Sequence, residues 1–148
     1  VQVFAGTLRQ SGEIRANRLV EDGDGSIRLI ASGEITLTSD SSTRADGPSG
    51  GTLTIQSTEG VTHIAGELSA RGSNGKGGDI ELLGNMVAVD SGTQVDAFGS
   101  AGGGQILVGG DYQGNNAAIQ NANRVYVGEN ASLRADATDN GNGGRIII

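Results

Sequence analysis

Residues 51–55, Gly-Thr-Leu-Thr-Ile, belong to a pattern that recurs along the chain and decides its fold. The pattern is a glycine followed by residues with aliphatic side chains at alternate positions, and its copies are residues 25–29, 51–55, 78–82, 104–108 and 144–148. Successive glycines are 26, 27, 26 and 40 residues apart. A recurring spacing of this length is typical of a solenoid in which one period forms one coil. The last spacing indicates one period plus an insertion of about 14 residues.

Two further ladders share this period. One is an aliphatic or β-branched residue two positions before an alanine, at residues 14–16, 43–45, 68–70, 95–97 and 133–135. The other consists of short alternating runs at residues 35–37, 62–64, 87–89 and 125–127. Each period therefore holds three short strands separated by turns rich in Gly, Ser, Asn and Asp. The sequence predicts an all-β, right-handed parallel β-helix of about five coils with a period of about 26 residues.

Alternation within the strands predicts interior columns of aliphatic side chains. The first column is Ile27, Leu53, Ile80, Ile106 and Ile146, and the second is Leu29, Ile55, Leu82, Val108 and Ile148. The rows that point outward are mostly polar, for example Arg15, Arg44, Ser69, Asp96 and Arg134. Leu107 and Ile147 break this rule. We expect the insertion, residues 111–123, to leave the coil as a loop and to cover both side chains with Ala117, Ala118 and Ile119.

The amino-acid composition excludes several classes of protein. The chain has 148 residues, 17 acidic against 10 basic side chains, a net charge of −7, 3% aromatic residues and no cysteine. The missing cysteine excludes disulfide scaffolds and thiol chemistry. The acidic balance argues against a nucleic-acid partner, and no apolar run is long enough for a membrane-spanning helix. We interpret residues 1–148 as a single β-helix segment cut from a longer chain, because the sequence ends within an apolar strand.

Residues 103–114, Gly-Gly-Gln-Ile-Leu-Val-Gly-Gly-Asp-Tyr-Gln-Gly, resemble the large exoproteins of bacterial two-partner secretion systems. These are the filamentous-haemagglutinin-like adhesins, some of them from biofilm matrices, and residues 125–128, 133–137 and 141–147 continue the resemblance. It implies a β-helical shaft that is secreted to the cell surface or extracellular matrix through an outer-membrane transporter, with a role in adhesion or fibre formation. The amino-terminal secretion motifs of that family are not seen here, so the resemblance points to the shaft. It carries no catalytic residue.

Two groups of residues are candidate binding sites. Asp111, Tyr112, Gln113, Asn115 and Asn116 combine amide and carboxylate groups with an aromatic ring, the chemistry of a carbohydrate-binding groove for a polysaccharide or host glycan. The alternative is a loop whose asparagines cap exposed backbone groups. Asp22 and Asp24, in Glu-Asp-Gly-Asp-Gly, are candidate calcium ligands, with a solvated turn as the alternative.

The sequence favours a structural protein over an enzyme. A polysaccharide-active β-helix enzyme, the alternative, would need several carboxylates to converge on one face, and Asp96 has Arg and Ser as column neighbours. The single histidine, His63, faces outward if Thr62 and Ile64 face the core; the opposite register stays open. The expected partners are neighbouring repeats of the parent chain, and the strand edges at each end allow end-to-end self-association.

Overall fold

Residues 1–16 and 25–148 are described by the computed structural model, which forms a parallel β-solenoid of about four turns with a period of about 27 residues. In chain order its strands are β1 (Gln2–Ala5), β2 (Leu8–Arg15), β3 (Ser26–Ala31), β4 (Ile35–Arg44), β5 (Thr52–Ser57), β6 (Val61–Ile64), β7 (Glu67–Ser69), β8 (Asp79–Leu83), β9 (Met86–Val89), β10 (Gln94–Asp96), β11 (Gln105–Val108), β12 (Arg124–Val127), β13 (Ser132–Arg134) and β14 (Arg145–Ile147). One 3₁₀ turn, Tyr112–Gly114, lies between β11 and β12. No helix in this described part is long and apolar enough to cross a membrane.

The repeating glycine pattern forms one sheet, in the order β1-β3-β5-β8-β11-β14. Ile27 pairs with Leu53, Leu53 with Ile80, Ile80 with Ile106, and Ile106 with Ile146, all in parallel. The first four of these side chains have no solvent-exposed surface, so these four members of the first interior column are confirmed. Ile146 is 41% exposed because β14 has a partner strand on one side only in the described part of the chain.

The other two ladders form a second sheet. Its order is β12-β9-β6-β4-β7-β10-β13, and β2 also pairs with β4. Residues 35–37 of β4 pair with β6, and residues 42–44 pair with β7. In the first two turns one long strand, β2 or β4, therefore lies where each later turn has two short strands.

The glycine and alanine ladders meet at one corner of each turn. There, the glycine N–H donates a hydrogen bond to the alanine carbonyl of the same turn, at 2.6–2.8 Å: Gly51 to Ala45, Gly78 to Ala70, Gly104 to Ala97 and Gly144 to Ala135. A Cβ atom added to Gly78 would lie 1.9 Å from the carbonyl oxygen of Gly51 on the neighbouring turn. The close approach of the coils thus requires glycine at this position.

Candidate functional site

The regular register of the solenoid is interrupted between β11 and β12. Ile80 pairs with Ile106, 26 positions on, whereas Val87 pairs with Val125, 38 positions on. The difference of 12 corresponds to residues 111–122, which we call the inserted segment. Partners in β11 and β14 are 40 positions apart, so two further residues lie in the corner between β13 and β14.

Two glycines turn the chain out of β11 and into the inserted segment. Gly109 and Gly110 have φ angles of +83° and +149°, in the region that favours glycine. An added Cβ would lie 2.3 Å from Val125 at Gly109 and 2.5 Å from Asn121 at Gly110. The segment returns beside its exit, where the Ala122 N–H donates to the Gly109 carbonyl at 2.6 Å.

Asp111 organises the first turn of the inserted segment. Its carboxylate accepts hydrogen bonds from the Tyr112 backbone N–H at 2.7 Å, the Asn116 amide at 3.3 Å and the Arg145 guanidinium at 3.2 Å. The backbone hydrogen bond, the Asn116 amide and the Arg145 charge together lower the pKa of Asp111 below its ordinary value. Asp111 is therefore a charged structural cap as well as a candidate binding group.

Tyr112 lies beside the same arginine. The Arg145 guanidinium carbon is 5.8 Å from the centre of the Tyr112 ring, a cation–π distance, and Tyr112 as a residue is 59% exposed. Gln113 adopts a left-handed conformation with φ of +55°, and Asn115 donates a 3.4 Å hydrogen bond to its side chain. The five residues proposed from the sequence are thus neighbours around one turn.

A cleft of about 720 Å³ opens between this turn and the last strand. Its lining residues are Val108, Gly109, Gly110, Asp111, Tyr112, Gln113, Gly114, Asn121, Ala122, Val125, Ile147 and Ile148. Asp111, Tyr112 and Gln113 contribute to it, whereas Asn115 and Asn116 do not line it. Asn121 was missed by the sequence analysis, because only the return path of the inserted segment brings it to this place. Val108 and Ile148 belong to the predicted second interior column, and Val125 pairs with the buried Val87. Val125 and Ile148 are 37% and 66% exposed because the strands of the last turn have a partner on one side only in the described part of the chain.

The far part of the inserted segment reaches back across the outer face of the first sheet. The Gln120 side chain accepts a hydrogen bond from the Gln56 amide at 2.8 Å and donates to the carbonyls of Ser57 and Thr58 at 3.2 Å. Leu83 and Leu107, at outward positions of the strands between, are 3% and 1% exposed and lie outside the main core cluster. The segment therefore crosses the face of the sheet on which these two buried leucines lie.

The position of the inserted segment differs in detail from the expectation. Ala117 and Ala118 are exposed, and the half-buried residues of this stretch are Ile119 and Gln120. Ile147 is half-buried and lines the cleft instead of lying beneath a cover. Leu107 is buried and Ile119 half-buried, as the prediction for Ala117, Ala118 and Ile119 requires. The prediction was wrong for the two alanines and for Ile147, because the segment is anchored through Gln120 on β5.

The remaining candidates from the sequence lie elsewhere. The calcium candidates Asp22 and Asp24 fall outside the described residues. Within residues 1–16 and 25–148, no group of three or more His, Asp or Glu side chains could hold a metal ion. Thr62 and Ile64 are buried, so His63 faces outward, where its Nε2 lies 2.8 Å from Asp90 Oδ1.

A charged network lies along the third strand position, where the sequence placed Asp96 beside Arg134 but indicated neither the burial of Asp96 nor its contact with Arg71. The Asp96 carboxylate is fully buried although its strand position points outward; it binds Arg134 at 2.7 and 2.9 Å and Arg71 at 2.5 Å. The guanidinium carbons of Arg71 and Arg134 also lie over the Phe98 ring, 4.9 and 5.7 Å from its centre. Burial alone would raise the pKa of Asp96, but hydrogen bonds and charge from the two arginines outweigh it and lower that pKa.

Comparisons with known proteins support the fold. The structure is similar to the HMW1 secretion domain from Haemophilus influenzae, with a TM-score of 0.62 and 18% sequence identity over 95% of this chain. The chain spans 55% of the length of that structure. No protein-family model matches the sequence, and the search of curated proteins found no match. At this identity the likeness shows a shared β-solenoid fold.

Proposed function

We propose that the chain is a rigid β-helical segment of a secreted bacterial exoprotein of the two-partner secretion type. In this proposal the helix is right-handed with about five coils, as the strand pattern predicts. It acts as a structural or adhesive rod at the cell surface or in the biofilm matrix. The observation that carries it is the parallel, in-register stacking of equivalent strands from turn to turn. The likeness to a two-partner secretion domain supports it.

The interactions that stabilise this fold are compatible with a rod that folds after export. Backbone hydrogen bonds run between turns, and the core consists of aliphatic columns, so the fold extends by repetition without an aromatic centre. The sequence has no cysteine, so folding outside the cell does not depend on an oxidant. The net charge of −7 disfavours lateral aggregation of such rods.

The proposed partners follow from the same geometry. An outer-membrane transporter would carry the parent chain, and neighbouring repeats of that chain would pair with the end strands. In the described part of the chain, β1 and β2 at one end and β12, β13 and β14 at the other pair on one side only. Such edges can also pair with a second copy, so end-to-end association is included in the proposal.

We do not extend the proposal to catalysis. Asp96 is the carboxylate that the strand pattern made a candidate for catalysis. Its side chain is fully buried and forms ion pairs with Arg71 and Arg134. A general acid or base needs access to a substrate proton.

Immunogold labelling of intact cells that encode the chain tests the proposal. We expect antibodies against the purified chain to label the cell surface or extracellular fibres, and external protease to remove the label. Label that appears only after lysis would overturn it. Negative-stain electron microscopy of the purified chain, at low and high concentration and with or without calcium, separates short particles from end-stacked fibres.

A further inference from the structure

One row on the outer face of the second sheet has an acid at one end, a base at the other and apolar side chains between them. Met86 pairs with Val61 on one side and with Arg124 on the other. Glu34 directly precedes the part of β4 that pairs with β6, so it lies beside Val61 on the neighbouring turn. We propose that this face binds a second copy of the chain, side by side and in antiparallel orientation.

The row faces outward and is accessible on the middle turns of the solenoid. The residues that alternate with it, Ile35, Thr62 and Val87, are buried in the core. Met86 is 42% exposed and Val61 is half-buried. Their strands, β6 and β9, each pair with a strand on both sides, so this exposure does not depend on the end strands. A further turn at either end would extend the face along the solenoid axis and would not cover it.

The charged groups at the two ends of the row are available to a partner. Glu34 and Arg124 are exposed, and neither forms an ion pair within residues 1–16 and 25–148. The Glu34 carboxylate accepts a hydrogen bond from the Thr36 hydroxyl at 2.9 Å, which leaves its second oxygen accessible. Charges of opposite sign across an interface favour one orientation of the two partners over others.

An antiparallel arrangement makes the row complementary to itself. The two-fold axis lies in the interface, perpendicular to the rod and between the turns of Val61 and Met86, so it reverses the order of the turns. Glu34 of each copy then faces Arg124 of the other. At the centre, Val61 faces Met86. Parallel rods would instead bring like charges to the same level, which disfavours that arrangement.

The neighbouring groups of the face suit such a contact. The next outward row consists of Thr36, His63, Ala88 and Tyr126, in the same order of turns. Tyr126 is 59% exposed, and the two-fold axis places it opposite Thr36 of the other copy. A shallow cavity of about 230 Å³ lies beside Met86 and leaves room for a side chain of the partner.

The contact is expected to be specific but weak. The net charge of −7 opposes random contacts between chains, whereas this row has one charge of each sign. Four turns at about 4.8 Å each give the row a length of only about 14 Å. Stable interfaces bury about 800 Å² on each partner, so we expect a dimer with a Kd on the order of 0.1–1 mM.

Sedimentation equilibrium of the purified chain, up to about 1 mM, tests the proposal. We expect a monomer–dimer equilibrium. Glu34→Arg and Arg124→Glu each place like charges together at both ends of the contact, so each should weaken dimerisation by at least about tenfold. The first change lowers the negative net charge and the second raises it, so a loss in both variants cannot come from overall repulsion. A mixture of the two variants should dimerise again, because every end contact then joins an arginine to a glutamate.

Asp139→Arg and Arg28→Glu are the matched controls, because they make the same charge changes at exposed positions outside this face. We expect both to leave the dimer unchanged, and circular dichroism checks that every variant is folded. A chain that stays monomeric at about 1 mM, equal losses in the controls, or a mixture that stays monomeric would overturn the proposal. Open-ended oligomers that these charges do not affect would indicate end-to-end stacking and would also overturn it.

Discussion

The surroundings of Asp96 indicate that its carboxylate stabilises the fold and does not act at the surface. Its buried carboxylate joins arginines from the turns on either side, so it links three turns through side chains. Asp96→Asn keeps the shape but removes the charge that both guanidinium groups bind. We expect it to lower the free energy of unfolding by about 1–3 kcal/mol in denaturant titrations. Asp139→Asn, the same change at an exposed position, is the control and should have almost no effect.

The same residue predicts a pH dependence. The pKa of Asp96 is lowered from 3.8 in the folded chain, so its stabilising contribution is complete above that value and is lost as the pH falls through the folded pKa. We expect the stability difference between the natural chain and Asp96→Asn to be constant near neutral pH and to shrink below about pH 4. A difference that persists unchanged into stronger acid would contradict this role for the carboxylate.

Gly78 represents the glycine ladder at the corner of the coil. An alanine Cβ there meets backbone atoms of the neighbouring turn, which side-chain movement cannot relieve. We expect Gly78→Ala to destabilise the chain by about 1–3 kcal/mol, measured as a shift of the thermal midpoint and of the denaturant midpoint. Gly6→Ala is the comparison, since nothing lies within 4 Å of its added Cβ. If both variants are equally stable, the turns do not approach as closely as described.

The inserted segment is an addition to the regular coil, and we expect the solenoid to fold without it. Deletion of residues 111–122 joins Gly110 to Asn123 and reproduces the Gly84–Asn85 link of the preceding turn. We expect the solenoid to remain folded, as seen by circular dichroism, while exposure of Leu83 and Leu107 lowers its stability by about 2–5 kcal/mol and causes aggregation.

Substitution of the two leucines in the shortened and in the full chain tests whether their exposure causes the loss of stability and the aggregation. Changing Leu83 and Leu107 to threonine should restore solubility to the shortened chain and destabilise the full one, where both positions are buried. A shortened chain that is as stable and soluble as the original, without these changes, would show that the segment covers nothing.

The repeated elements could be predicted from sequence because each ladder position has one dominant requirement. Interior columns need aliphatic side chains, and the corner needs glycine or alanine because carbonyl groups of adjacent turns leave no room for more. The row predicted Arg134 next to Asp96, but the burial of Asp96 and the contacts of Arg71 and Phe98 could not be predicted, since they depend on side-chain directions from different turns.

The insertion shows a second limit. The glycine spacing predicts its total length, but only strand pairing divides that length into 12 residues before β12 and two in the later corner. The loop's polar residues were predicted as a group, whereas the contacts of Asp111 and Tyr112 with Arg145 were not. Arg145 begins β14, and only the path of the segment back to the last turn brings it to Tyr112.

For the whole molecule, the central claim is that the parallel coils resume their register after the inserted segment. Gln94 is paired with Ser132 in the structure, whereas an uninterrupted period of 26 would place residue 120 opposite it. Adjacent strands lie about 4.8 Å apart, which is within the range that a disulfide can bridge. The sequence has no cysteine, so an engineered pair reports on this contact alone.

The most direct measurement is therefore disulfide formation under mild oxidation in two double variants, followed by non-reducing electrophoresis and mass spectrometry. We expect Gln94→Cys with Ser132→Cys to cross-link within one chain, and Gln94→Cys with Gln120→Cys to remain reduced. Cross-linking of the second pair and not the first would contradict both the register and the cleft that depends on it.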